Sequence, residues 1–148
     1  MWFSKQPSAP EPEEPFFAWS GEEHSVGIAV FDQEHQRLAA LMSQVHVALM
    51  EKHDRTLALE RLGFLIAQAR AHFDHEEGVM GNVDFAGREA HVAEHTALIA
   101  QANALLQKVQ NGSLSALAIP KFLKDWLVPH MRTMDRKYVA TMRRHGLR

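Results

Sequence analysis

Ten histidines stand in a chain of 148 residues that holds eight phenylalanines and no cysteine. The missing thiols exclude disulfides, thiol catalysis, zinc knuckles and iron–sulfur clusters, so any metal must be held by nitrogen and oxygen. Spacing makes some of these residues candidates for that work. His72 and Glu76 are four residues apart, as are His91 and His95. On an α-helix such pairs lie about 40° apart, so each pair can reach one centre. Asp135 follows His130 by five residues, about 140° round a regular helix. That offset alone argues poorly for ligation, although a bridging carboxylate leaning in from the flank could use it. Its plain alternative is a surface ion pair with Arg132 or Arg136.

The elements that position these residues read as four helices. The first runs from about Asp32, a plausible N-cap, to Lys52. The second runs from about Asp54, again a cap candidate, to Met80, with Gly81-Asn82 as a stop. The third spans roughly Gly87 to Gln110, and the fourth begins near Ser115 and reaches about Arg144. Strand signals are missing. Short connections between long helices predict an all-α, antiparallel up-down-up-down four-helix bundle spanning 16–148. Ahead of it, 1–15 is rich in Pro and Glu and reads as a flexible tail. Ser25-Val26-Gly27-Ile28 reads as an extended arm laid on the body.

Each helix has a buried seam in steps of three and four. The seams are His35, Leu38, Met42, Val45, Leu49; Leu62, Leu65, Ala69, His72, Glu76, Val79; His91, His95, Leu98, Ala102, Leu105, Val109; and Ile119, Leu123, Trp126, His130, Met134, Tyr138. Five histidines and a glutamate therefore point where leucines belong. One such histidine is ordinarily a core residue bonded to a carbonyl. Five are another matter, because each unpartnered buried polar group costs roughly 1–3 kcal/mol and a domain has only about 5–15 kcal/mol in hand. A shared metal removes the cost. With the two carboxylates these donors are too many for one ion and suit two. The donor types fit iron, manganese or zinc, with iron favoured where open positions serve oxygen chemistry, and do not suit magnesium or calcium.

Composition narrows the class further. The net charge of −2 lacks the basic face of a nucleic-acid binder, and 46% hydrophobic with 23% charged residues is ordinary for a globular domain. No apolar run reaches the length of a membrane span, and the start MWFSKQPSAPEPEEP has no signal-peptide core, so the cytoplasm is the expected compartment.

Four motifs in order resemble the hemerythrin family, in its bacterial single-domain form. Asp32-Gln33-Glu34-His35 matches D-x-x-H, and His72-Phe73-Asp74-His75-Glu76-Glu77 matches H-F-x-x-E-E. His91 and His95 match H-x-x-x-H, and Trp126-Leu127 through His130, Asp135 and Tyr138 match W-L-x-x-H-x-x-x-x-D-x-x-Y. The resemblance spans about Phe17 to Met142. It implies a four-helix bundle that binds O2 reversibly at a non-haem di-iron centre. His91, His95 and His130 would hold the saturated iron, and His35 and His72 the iron with an open position. Glu76 and Asp135 would bridge the pair, together with a solvent-derived oxo or hydroxo group. Leu38, Phe73, Trp126, Leu127 and Met131 match the wall of the O2 pocket, where water must be kept out. Three departures stand out: Pro129 directly before His130, Met131 where isoleucine is commoner, and no Tyr-Pro near Gly81–Phe85.

The other histidines fall off the ligand pattern. His24, His53 and His145 read as solvent-exposed and His46 as half-buried, while His75, next to Glu76, is the one rival ligand. Trp126 and Tyr138 have polar tips that could bond a ligand or a bridge. The competing function is a di-iron oxidase or peroxidase. Such sites use Glu-x-x-His pairs, and no Glu here has His three residues later. No output domain for an O2 or NO sensor is read either, which weighs carriage, storage or delivery of O2 above sensing.

Overall fold

A computed structural model describes residues 16–148; the Pro/Glu-rich segment 1–15 lies outside the described residues. Four long helices form the body: α2 (Ala29–His46), α3 (Arg55–Asn82), α4 (Arg88–Gln110) and α5 (Ile119–Thr133), preceded by the short α1 (Gly21–His24). A 3-10 turn, Asp135–Tyr138, and α6 (Val139–Arg144) follow α5. No strand occurs among the described residues. Short connections return each helix antiparallel to the last, as the sequence predicts.

Local chemistry sets most boundaries. Asp54 caps α3, its carboxylate accepting from Leu57 N at 2.9 Å. Gly112, at φ +81°, takes the left-handed conformation that ends the turn after α4. The expectation for Asp32 needs correction. The first bundle helix starts three residues earlier, with Ile28 at the N-cap position. Asp32 instead accepts from Ser25 Oγ (2.5 Å) and Val26 N (2.8 Å), pinning the arm to the bundle. The arm lies on the body from Ser25 to Ile28, as expected, with Val26 and Ile28 buried, but it bends at Gly27, whose φ is +75°. The first helix also loses α geometry after His46, closing in a π turn over Val47–Glu51.

The fourth helix departs most from the sequence reading. Pro129 lies inside α5, where it can donate no backbone hydrogen bond. Four residues on, Thr133 Oγ1 donates to Pro129 O at 2.8 Å, and α geometry stops. The following 3-10 turn winds more tightly than an α-helix and turns both Asp135 and Tyr138 inward, where both are fully buried.

The apolar core comes in two blocks. The larger contains Leu38, Met42, Leu62, Leu65, Phe73, Leu98, Leu123, Trp126 and Leu127. The smaller contains Val26, Ile28, Phe31, Met80, Val83, Tyr138 and Met142. Along α2, α3 and the α5 segment, the expected metal donors fall between residues of one block and residues of the other. The donors form a polar layer across the bundle.

Candidate metal centre

Every one of the seven donors expected from the sequence is buried: His35, His72, Glu76, His91, His95, His130 and Asp135. Seam periodicity brings in the first six. The 3-10 turn brings in Asp135, whose surface-pairing alternative fails: Arg132 reaches Glu23 and Arg136 donates to Glu23 O. The donors fall into two groups whose ligand atoms lie within 4.8 Å of one another. One holds His35, His72, Glu76 and Asp135, and the other His91, His95, His130, Glu76 and Asp135.

The two carboxylates divide their oxygens between the groups. Glu76 Oε1 lies 3.4 Å from His35 Nε2 and 3.0 Å from His72 Nε2, while Glu76 Oε2 lies 3.6 Å from His91 Nε2 and 3.3 Å from His95 Nε2. Asp135 Oδ2 lies 3.2 Å from His35 Nε2, and Oδ1 lies 3.0 Å from His91 Nε2 and 2.9 Å from His130 Nε2. Within each group imidazole also meets imidazole, His35 to His72 at 3.0 Å and His95 to His130 at 3.1 Å between Nε2 atoms. Donors about 2.1 Å from one ion stand about 3.0 Å apart along an octahedral edge, which is the scale of these separations.

Part of this proximity is not hydrogen bonding. His91 Nε2, Glu76 Oε2 and both Asp135 oxygens are buried with no hydrogen-bond partner. They approach neighbours closely but point past them. Buried polar atoms are almost always satisfied, so a set aimed at common points and unpaired fits cations as the missing partners.

Three further carboxylates fix the imidazoles from outside. His72 Nδ1 donates to Glu34 (3.2 Å), His95 Nδ1 to Glu77 (2.8 Å) and His130 Nδ1 to Glu94 (2.8 Å). A carboxylate only accepts, so each Nδ1 carries the hydrogen, and Nε2 is the nitrogen left to bind an ion once the imidazole is neutral. The sequence reading missed all three glutamates, although each sits next in sequence to a seam residue. Tyr138 takes the outer role foreseen for it, donating to Glu76 Oε1 at 2.9 Å. Trp126 does not: its Nε1 donates to Leu98 O at 2.9 Å. The five apolar positions matched to the pocket wall, Leu38, Phe73, Trp126, Leu127 and Met131, are all buried, with Phe73 stacked on His95 at 3.8 Å.

Among the protein groups alone, charge is strongly shared. Burial disfavours the imidazolium of His72, but the Glu76 charge and hydrogen bonds to Glu34 and Glu76 outweigh it and raise its pKa to about 10. Burial is likewise outweighed at His91 by the Asp135 and Glu76 carboxylates close to its Nε2, raising it to about 9. His35 and His130 are raised for similar reasons. Burial pushes up the Glu76 and Asp135 carboxyls, yet the surrounding imidazoles win and hold both below the usual carboxylate range.

A family comparison accords with this donor set. The family described as "Hemerythrin HHE cation binding domain" matches residues 26–142. The chain belongs to the hemerythrin family. Among relatives, it is 26% identical over 121 residues to a bacteriohemerythrin of Stenotrophomonas maltophilia, covering 82% of this chain and 78% of that one. It is 32% identical over 108 residues to a hemerythrin of Siphonosoma cumanense, covering 72% and 78%. A wild-type hemerythrin crystal structure superposes with a TM-score of 0.78 at 25% identity, covering 85% of this chain and 97% of that one.

The remaining histidines of this hemerythrin-family chain divide. His53 and His145 are exposed and His46 is half-buried, stacked on Phe16 at 4.4 Å, as expected. His24 is not exposed as predicted. Phe17 and Trp19 pack on its ring, and Ser20 N donates to its Nδ1 at 2.9 Å. An arm residue is buried here because α1 folds back over the bundle. His75 stays out of the donor layer, its Nδ1 2.7 Å from Glu34 Oε1.

Proposed function

We propose that the chain binds O2 reversibly at two iron ions, for carriage, storage or delivery, and acts as a binding protein rather than an enzyme. The observation that carries this reading is the division of donors into two unequal groups that share only Glu76 and Asp135, each carboxylate giving one oxygen to each group. His91, His95 and His130 would complete one ion's surroundings. His35 and His72 would supply the other, which has one protein donor fewer and so a place for a ligand. When bound, an iron pair supplies the exchangeable electrons and the coordination site that O2 requires.

The chain's own residues do the rest. Glu34, Glu77 and Glu94 keep three imidazoles in the tautomer that presents Nε2 inward. Tyr138 holds the Glu76 oxygen that faces His35 and His72. Leu38, Phe73, Trp126, Leu127 and Met131 would line the ligand's side of the layer and exclude water, so that protons do not reach the bound ligand. Five imidazoles to two carboxylates is a nitrogen-rich set, which favours reversible binding over the high-valent chemistry of carboxylate-rich oxidases. No helix among the described residues is long and apolar enough to cross a membrane, which is compatible with work in the cytoplasm.

Metal analysis combined with optical spectra tests the proposal. Aerobically purified protein should carry two irons per chain and show a near-ultraviolet and visible charge-transfer spectrum that bleaches without O2 and returns with it. Rapid turnover of Fe(II) or peroxide with no reversible spectrum would assign the chain to the oxidases instead.

A further inference from the structure

The donor layer is sealed: its seven side chains are buried, and a cation must still get in. One imidazole of the layer, His72, bonds an outer carboxylate that also meets an exposed imidazole. His72 Nε2 lies 3.0 Å from both His35 Nε2 and Glu76 Oε1, inside the layer. Its Nδ1 lies 3.2 Å from Glu34, whose two oxygens lie 2.7 and 2.9 Å from His75 Nδ1. Glu34 is 22% and His75 44% exposed, so this carboxylate–imidazole pair is wet on one side and touches a layer residue on the other. Beside it, between α2 and α3, a cavity of about 140 Å³ is lined by Glu34, Arg37, Leu38, Gln68, Ala71 and His72. A water takes up about 30 Å³ in the liquid, so the cavity has room for a partly hydrated ion.

We propose that Glu34 and His75 form an outer capture site for divalent first-row metal ions, and that the adjoining α2–α3 cavity is the port through which ions reach the buried donors. The inference rests on the metal-binding reading above. The donor separations of 2.7 and 2.9 Å suit one ion bound to both groups, replacing the hydrogen between them. Two protein donors with water for the remainder hold an ion loosely, while the layer offers groups of four and five donors. Affinity therefore rises inward, and the ion moves on. The groove between α3 and α4 also reaches a layer imidazole, His95, but Glu77 there has no exposed imidazole to share an ion with. Arg37 on the port's rim opposes cation build-up by its charge.

Stopped-flow uptake of Co(II) by the ion-free full chain, read from the cobalt visible bands, tests this. His75→Ala keeps the Glu34–His72 bond and removes one capture donor. With one of the two capture donors gone, His75→Ala should slow Co(II) uptake several-fold. Stripping by excess chelator should slow equally, with final cobalt content and affinity unchanged. Arg37→Gln should speed both, and His53→Ala, at an exposed histidine remote in the chain from this pair, should change neither. Lower affinity at an unchanged uptake rate would make His75 a positioning residue and overturn the proposal, as would unchanged rates throughout. Failure of the wild-type chain to take up Co(II) would instead remove the metal-binding reading on which the port depends.

Discussion

The Tyr138 hydroxyl donates to Glu76 Oε1 across 2.9 Å, with both side chains fully buried. The same oxygen faces His35 and His72, so tyrosine and imidazoles compete to compensate one carboxylate oxygen. The Tyr138 ring also stacks on His91, with centroids 5.6 Å apart. Tyr138→Phe keeps that stacking and removes only the hydroxyl. It should cost about 1–3 kcal/mol in the ion-free protein, where the carboxylate loses a buried donor, and less in the metal-loaded protein, where the cation supplies the compensation. Denaturant unfolding of both forms measures the difference. Equal losses would show that the bond is ordinary core packing.

Glu77→Gln should loosen the site without reshaping it. The amide can turn its oxygen toward His95 Nδ1, but the charge that makes the imidazole a better donor is gone. Metal affinity should fall about 10–100-fold, with helix content unchanged. Competition titration against a calibrated chelator reads the shift. Glu94→Gln should act likewise through His130.

The stabilising effect of metal should grow with pH. His72 is raised to about 10 and His91 to about 9 among the protein groups alone, against about 6.5 in an unfolded chain. A raised imidazole contributes stability that is complete below about pH 6.5 and is lost as pH climbs through the folded-state value. The ion-free protein should therefore weaken between about pH 6.5 and 9–10. Bound imidazoles are already neutral, so the loaded form does not share that loss. The gap between the two melting temperatures should widen with rising pH over this range, and metal uptake near pH 7 should release protons. A gap that narrows upward would contradict the assigned donors.

Leu127→Ala should cost about 2–5 kcal/mol, as for a fully buried leucine. If Leu127 also guards the ligand pocket, the variant should lose O2-binding capacity in air faster than Leu62→Ala, a variant of the same type elsewhere in the larger block. Equal rates of loss for the two would reduce Leu127 to packing alone.

The six seam donors are legible in sequence because steps of three and four hold one helix face inward for its whole length. Asp135 is legible only through the family motif, because its inward direction depends on the change from α to 3-10 geometry after Thr133. Glu34, Glu77 and Glu94 show how far spacing reaches. Glu34 precedes His35 but bonds His72, and Glu94 precedes His95 but bonds His130. A carboxylate flanking a seam donor marks the role, while the partner lies on another helix and is set by packing. His24 escaped for the same reason: no periodicity in a four-residue helix tells that α1 folds back.

The division of the core into two apolar blocks has a mechanical consequence. Stripped of its cations, the donor layer is a plane of mutual attraction and repulsion with no common anchor, and it separates halves of unequal size. The end bearing the arm and α6 should then exchange its amide hydrogens at a lower opening energy than the end built on Leu62 and Leu123. Ions in that plane would act as rivets, making two cooperative halves melt as one.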